Sequence, residues 1–196
     1  MTNILRVESS IKGEASVSRK LTDRIVARLT AADPDATVTL RDLSTGVPHI
    51  DGDWIGAVYT PAEARSPEQA DRAAYSDALL AEVRAADTLV IALPVYNFGV
   101  PAPLKGWIDH LARKGETFQY TEAGPEGLLK GKRAIVALSS DGTRIGSEID
   151  FASGYIRHML GFFGITDVDF IAADQMVFGP EETLKKAEAQ IDALAA

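Results

Sequence analysis

The sequence predicts an α/β fold: a doubly wound sheet of five parallel strands in the spatial order 2-1-3-4-5, in one domain spanning residues 1–196. Three observations carry the prediction. Five short apolar runs alternate with segments of helical apolar spacing, the pattern of parallel strands joined by crossover helices. The run Thr88-Leu89-Val90-Ile91-Ala92-Leu93 carries no charge between Asp87 and Pro94, so it reads as a strand buried on both faces at mid-sheet. The 196 residues hold no repeat or low-complexity tract, and a chain of this length buries roughly 70% of its unfolded surface without a disulfide or metal staple.

The elements follow in order. Residues 4–8 form the first strand, which stops at Ser9-Ser10. A polar loop leads into a helix from Val17 or Ser18, where Leu21, Ile25, Val26 and Leu29 keep helical spacing until Asp33-Pro34 ends it. Residues 37–43 alternate as the second strand. Residues 44–65 lose periodicity while holding Trp54 and Tyr59, and read as an irregular stretch that is functional or a cap. Ser66-Pro67-Glu68-Gln69 is a capping box with proline at the first helical position, and the helix it opens runs to Ala86 and delivers the chain to the central strand. Pro103 opens the next helix, with Leu104, Trp107, Ile108 and Leu111 packing back on the sheet. Residues 114–132, with a turn at 123–127, form an excursion before the fourth strand at 133–138. A helix from about Ile149 to Phe163, a fifth strand at 168–172 and a last amphipathic helix at 181–194 complete the chain.

Composition narrows the function. Twenty-eight acidic against twenty basic residues leave a net charge of −8, which disfavours nucleic acid and anionic membrane as partners. Cysteine is absent, which excludes thiol nucleophiles, iron–sulfur clusters and Cys-based zinc sites, and the cytoplasm is the expected location. The stretch from Met1 to Leu5 enters an apolar strand directly, and no later segment approaches the ~18 apolar residues of a membrane span, so a soluble, unsecreted chain is expected. His49, His110 and His158 lack the spacing and acidic neighbours of a metal site or catalytic triad, and are read as structural.

Two loops carry chemistry. Ser9, Ser10, Ser16 and Ser18 place hydroxyls between a strand end and a helix start, where free amides and the helix dipole favour an anion. A helix N-cap needs only one such serine, and both readings stand. The loop is neither GxGxxG nor GxxxxGK[ST], so a monophosphate suits it better than a dinucleotide or nucleoside triphosphate. The loop from Pro94 to Pro103 has three prolines and a glycine, and stiffly presents Tyr96, Asn97 and Phe98 where the central strand ends. In open α/β sheets ligands bind there, beside a switch in strand order, and this trio suits a flat heteroaromatic ring with polar edges. Asn97 has the alternative of satisfying its own turn, and Tyr120 and Phe162 the alternative of packing in the core.

Together the stretches Ser9-Ser10 with Ser16-Val17-Ser18, Pro94 to Phe98, Phe118 to Leu128 and Leu160 to Ile165 resemble the FMN-dependent NADH-azoreductases, bacterial relatives of the quinone reductases. The similarity covers essentially the whole chain. It implies a flavodoxin-like homodimer with one FMN per subunit, NADH as electron donor, and ping-pong hydride transfer to a quinone or aromatic azo compound. By position it implies that Ser10, Ser16, Val17 and Ser18 hold the ribityl phosphate and that Val95, Tyr96, Asn97 and Phe98 line the isoalloxazine. Ser139, Ser140, Asp141 and Gly142 would meet its polar edge, and Tyr120 and Phe162 would shape the substrate pocket. No side chain is assigned as a catalytic acid or base, because the cofactor carries the chemistry. Where the family usually has a serine, a basic residue and two glycines, this chain has Ser139-Ser140-Asp141-Gly142, so the resemblance implies a carboxylate near the pyrimidine end of the flavin, with an aspartate turned outward to cap its turn as the alternative. The alternative is a flavodoxin-like electron carrier without NADH turnover, against which the long segments 44–65 and 114–132 argue. A phosphoacceptor domain of the same fold would need an acidic pair and a strand-ending aspartate where Glu8-Ser9-Ser10 and Leu93-Pro94 stand.

Overall fold

The computed structural model describes residues 2–195; Met1 and Ala196, the limits of the expected domain, lie outside the described residues. In chain order the elements are β1 (Asn3–Glu8), α1 (Val17–Ala32), β2 (Thr37–Asp42), α2 (Gly52–Tyr59), α3 (Pro67–Ala85), β3 (Thr88–Pro94), α4 (Ala102–Leu111), β4 (Phe118–Thr121), β5 (Gly124–Gly127), β6 (Arg133–Ser139), α5 (Ser153–Phe163), β7 (Asp167–Ala173) and α6 (Pro180–Asp192). Five strands form one parallel sheet, β2-β1-β3-β6-β7, which in the order of its own strands is the expected 2-1-3-4-5. β4 and β5 pair antiparallel as a separate hairpin.

All seven residues of β3 are buried. Successive side chains of a strand point to opposite faces, so Leu89, Ile91 and Leu93 enter one core and Val90 the other. The first core joins them to Leu5, Val7, Val136 and Leu138 under α3, α4 and α5; the second joins Val90 to Ile4, Ile135 and Ala137 under α1 and α6. The pairings Val7 with Ile91 and Ile91 with Val136 set these residues abreast across three strands. At the edge of the sheet β2 exposes its first four residues. His110 sits in the first layer with its ring edge-on to Trp54 and Tyr75, and Nε2 lies 2.9 Å from the Pro48 carbonyl. Burial pushes its pKa down, and the core histidine stays neutral. Among the described residues no helix is long and apolar enough to cross a membrane.

Three expectations need correction. Residues 44–65 are not wholly irregular, because Gly52–Tyr59 is helical, capped by the Asp51 carboxylate, which accepts from the Trp54 amide at 2.9 Å. Gly52 and Gly56 weaken its helical signal, and burial of Trp54 and Ala57 supplies what propensity lacks. The turn expected at 123–127 is largely a strand, with Gly124–Gly127 paired to Phe118–Thr121. Helix α5 starts at Ser153 rather than about Ile149, since Asp150 accepts from the amides of Ala152 at 3.0 Å and Ser153 at 2.9 Å and so fixes the start.

The hairpin docks on the end of α5 backbone to backbone. A Cβ on Gly127 would lie 2.1 Å from the Gly164 nitrogen and 2.3 Å from the Phe163 carbonyl carbon. Gly164 ends α5 in the left-handed region at φ +101°, and the Leu129 amide donates to the Phe163 carbonyl at 2.8 Å. Beside this contact the Phe118 and Phe162 rings stand 4.5 Å apart. The two stretches Phe118 to Leu128 and Leu160 to Ile165 are thus the halves of one contact. Gly127→Ala is expected to force them apart at a cost of about 3 kcal/mol or more, lowering Tm by roughly 6–12 °C for a chain of this size. Scanning calorimetry checks this, and a Tm within about 2 °C of the parent would refute the close-contact account.

Candidate functional site

The chain leaves β1 toward β2 on one side and returns at β3 on the other, so the loops after β1 and β3 diverge and leave a crevice at their carboxyl ends. A cavity of about 530 Å³ opens there, with walls from the loops after β1, β3 and β6 and from Met176 beyond β7.

The β1 loop forms the polar bank. β1 ends on Glu8, a fully buried carboxylate that accepts from Arg6 Nε at 2.6 Å and from the Thr22 hydroxyl, with Arg19 Nε 3.8 Å away. Arg19 reaches on to Asp42 at 2.8 Å. Burial pushes the Asp42 carboxyl up, but hydrogen bonds from Ser44 and Arg19 outweigh it and hold the pKa below the usual carboxylate value. This buried chain of charges ties the first turn of α1 to β1. Above it the Ser9 hydroxyl donates to the Ala92 carbonyl at 2.7 Å and joins the ends of β1 and β3. Gly13, at φ +53°, turns the chain into Ser16, the N-cap of α1, whose hydroxyl accepts from the Arg19 amide at 3.2 Å and lies 3.1 Å from the Ser18 hydroxyl. Among the described residues the amides of Val17 and Ser18 find no acceptor, leaving two donors at the positive end of a sixteen-residue helix.

The β3 loop forms the opposite bank. The Val95 amide donates to the Ser139 carbonyl at 2.8 Å, and Tyr96 and Gly99 exchange two backbone hydrogen bonds at 3.0 Å around Asn97 and Phe98. Both central residues have positive φ, +48° and +68°, as in a type I′ turn. The Tyr96 hydroxyl crosses the crevice, 3.1 Å from the Ser10 hydroxyl and accepting from the Ile11 amide at 3.3 Å. The floor is the β6 loop: Ser140 donates its amide to the Ala173 carbonyl at 3.1 Å, and its carbonyl and that of Asp141 accept from the Met176 and Val177 amides at 3.0 and 2.9 Å. The Ser140 hydroxyl caps this loop by accepting from the Thr143 amide at 2.9 Å, and among the described residues the Asp141 side chain has no hydrogen-bond partner. Lys12 and Asp141 are the two charged residues on the cavity wall.

Of the residues singled out from sequence, Ser10, Ser16, Val17, Val95, Tyr96, Asn97, Ser139, Ser140 and Asp141 meet on this cavity. Ser18 is fully buried with its hydroxyl turned to Ser16, and Phe98 is 52% exposed outside the wall. Gly142 lines a neighbouring depression with Arg144 and Gln175. Tyr120 and Phe162 stand away from the cavity of their own chain, in an aromatic cluster with Phe118 on the hairpin side. Ile11, Lys12, Ala15, Pro94 and Met176 also line the cavity. Lys12 carried a readable signal, a lone cation inside a hydroxyl-rich loop; Met176 carried none, because only the β7–β6 pairing brings it there.

An α/β sheet wound both ways, with an amide-and-hydroxyl cradle facing an aromatic loop across its switch point, defines a protein of flavodoxin type. The profile of the family described as "Flavodoxin-like fold" matches residues 2–196, and the chain belongs to that family. It is 63% identical over 196 residues, the whole of both chains, to the protein of Cereibacter sphaeroides (strain KD131 / KCTC 12085) named FMN-dependent NADH:quinone oxidoreductase. It is 57% identical, again over the whole of both chains, to the FMN-dependent NADH:quinone oxidoreductase 1 of Jannaschia sp. (strain CCS1). Among solved structures, an FMN-dependent NADH-azoreductase from Bacillus anthracis str. Ames Ancestor in complex with FMN superposes with a TM-score of 0.88 at 27% identity, covering 98% of this chain and 96% of that one.

A bulky residue at positive φ is strained by roughly 1–2 kcal/mol. Asn-Gly is the favoured pair in such a turn. Glycine's greater unfolded freedom offsets about 0.5–1 kcal/mol, so Phe98→Gly is expected to stabilise the protein by roughly 0.5–1 kcal/mol. Urea unfolding checks it: the midpoint should rise at unchanged slope. A lower midpoint would mean that contacts of the ring outweigh the strain.

Proposed function

We propose that this protein is an FMN-dependent NADH:quinone oxidoreductase that also reduces aromatic azo compounds, with the flavin in the switch-point cavity. The observation that carries the reading is the pairing on one cavity of an anion cradle with a rigid aromatic-amide loop. The free amide of Val17, the hydroxyls of Ser10 and Ser16 and the Lys12 ammonium, all on the cavity wall, match a phosphomonoester. The Val95-Tyr96-Asn97 bank matches a flat ring with polar edges. The cavity volume lies within the range of about 300–1,000 Å³ usual for small-molecule sites, and the names of the relatives at 63% and 57% identity support the same assignment.

When bound, FMN supplies the redox chemistry between NADH and the acceptor. The chain's own work is binding and orientation. Helix α1 and Lys12 neutralise the phosphate, the Tyr96 bridge to the β1 loop holds the two banks at a fixed separation, and the Asn97 amide offers a donor and an acceptor to the ring edge. Asp141 sets a negative charge beside the site. Donor and acceptor would use one face of the bound flavin in turn. The working unit is a homodimer: Tyr120, Phe151 and Phe178 are 65%, 66% and 78% exposed, aromatic side chains that a second copy would cover. In that arrangement Tyr120 and Phe162 of one copy would wall the substrate site of the other. A cysteine-free chain suits the reducing cytoplasm.

Steady-state oxidation of NADH by the FMN-loaded protein should give parallel double-reciprocal lines with a quinone and with an azo dye, from a species that sediments as a dimer. Intersecting lines would sink the shared face, and a fully active monomer would sink the shared wall. Lys12→Ala should weaken FMN roughly 3- to 10-fold, an exposed charged hydrogen bond being worth about 1 kcal/mol, and leave riboflavin unchanged; fluorescence titration of both flavins separates a phosphate contact from a general loss. Asp141→Asn should raise the flavin midpoint potential by roughly 5–20 mV, the two-electron equivalent of the ~0.2–1 kcal/mol of an exposed charge interaction. Spectroelectrochemical titration at two salt concentrations decides it, the expected shift shrinking at the higher one.

A further inference from the structure

We propose a second anion site, on the outer helical layer and separate from the switch-point cavity, where Arg65 and Arg113 receive the carboxylate or phosphate of a small organic anion. The site is a cavity of about 340 Å³ between the second half of α3, the segment 58–65 and the residues following α4, and it shares no lining residue with the switch-point cavity.

The charge balance is the first observation. The Arg65 and Arg113 side chains are 6% and 5% exposed, and both are drawn to one carboxylate, Asp77, at 2.6 and 2.5 Å. Asp77 is 43% exposed, so two buried cations share one half-exposed anion. Burial pushes the Asp77 carboxyl up, but the hydrogen bonds from Arg113 and Arg65 overcome it and hold the pKa below the usual value, so Asp77 is already ionised and has no further charge to give. At the rim Arg84 pairs with Glu116. The wall therefore carries three arginines against two carboxylates, in a protein of net charge −8. A buried charge without its counterpart is strongly unfavourable, and an incoming anion relieves it.

The free donors are the second observation. Arg65 spends Nε on the Ala57 and Thr60 carbonyls at 3.0 and 3.2 Å, and Arg113 spends Nη1 on Asp77 and on the Ser76 hydroxyl at 3.2 Å. Arg113 Nε is buried without a partner, and among the described residues Nη2 of neither arginine has one. Nε and Nη2 form the side-on fork with which a guanidinium grips an oxyanion in two parallel hydrogen bonds, and in Arg113 that edge has no partner among the described residues. Val58 and Leu80 add apolar wall, and the volume lies near the lower end of the small-molecule range, which fits an anionic group on a small carbon frame.

Calorimetric titration of the FMN-loaded full-length protein, whose other phosphate cradle is filled, tests the site with inorganic phosphate and with acetate against chloride at equal ionic strength. One saturable site per subunit for phosphate or acetate is expected, and which of the two binds assigns the anionic group. Ala81→Glu sets a carboxylate on the cavity wall without removing any hydrogen bond and should weaken binding about tenfold or more. Arg65→Gln should do the same, but it also removes a tie to the end of α2, so the Ala81 variant is the deciding one. No saturable binding of either anion, or an unchanged affinity in Ala81→Glu, overturns the proposal.

Discussion

The site depends on burial of β3 on both faces. A seven-residue strand without a charged side chain is stable only between two other strands and beneath helices on both sides, and parallel neighbours must then be reached by crossovers. With β1 on one side and β6 on the other, the chain has to wind outward in both directions from the β1–β3 boundary. The crevice at that boundary is a consequence of topology, and the loops that fill it are the residues next in sequence after Glu8 and Pro94.

Polar contacts then convert the crevice into a fixed cavity. Ser9 joins the ends of β1 and β3 through the Ala92 carbonyl, and Tyr96 spans the opening to Ser10 and Ile11. Beneath them the Arg6–Glu8–Arg19–Asp42 chain holds the start of α1 to β1 and β2, so the free amides at its N-terminus point from a rigid base. A buried carboxylate is tolerated there because cations flank it and a hydroxyl donates to it. The left-handed Asn97 and Phe98 are the strained part of the opposite bank, and strain of this kind persists where surrounding structure over-determines it. Two backbone hydrogen bonds within the turn and a third, from the Phe151 amide to the Phe98 carbonyl at 3.1 Å, supply that constraint.

The hairpin obeys a different logic. It adds no strand to the sheet, and it is held by the glycine pair at positions 127 and 164 and by the Phe118–Phe162 contact. Beside this close backbone approach Phe118 packs edge-on against Tyr120, which is exposed.

The sequence by itself determined the five strands of the sheet and most of the cavity wall, because these follow from short-range pattern, while the spatial order followed from the doubly wound class that the alternation of strand and helix indicates. The period of apolar residues marks strand or helix, the uncharged run at 88–93 marks the centre, and the hydroxyls after β1 and the proline-bounded loop after β3 necessarily sit at strand ends. The capping box at Ser66 was readable for the same reason, and the structure shows both of its hydrogen bonds, at 3.3 and 3.0 Å. Tertiary structure alone decided the rest. Helix α2 exists because Trp54 and Ala57 find a core beside α3, despite two glycines in eight residues. Met176 reaches the cavity through strand pairing, Ser18 turns inward to Ser16, and Tyr120 and Phe162 stand together on the far side because α5 and the hairpin meet there. Arg65, Asp77 and Arg113 converge only once α3 and α4 pack side by side. Local pattern states what each segment becomes; which distant segments meet depends on how the sheet and its helices close around one another.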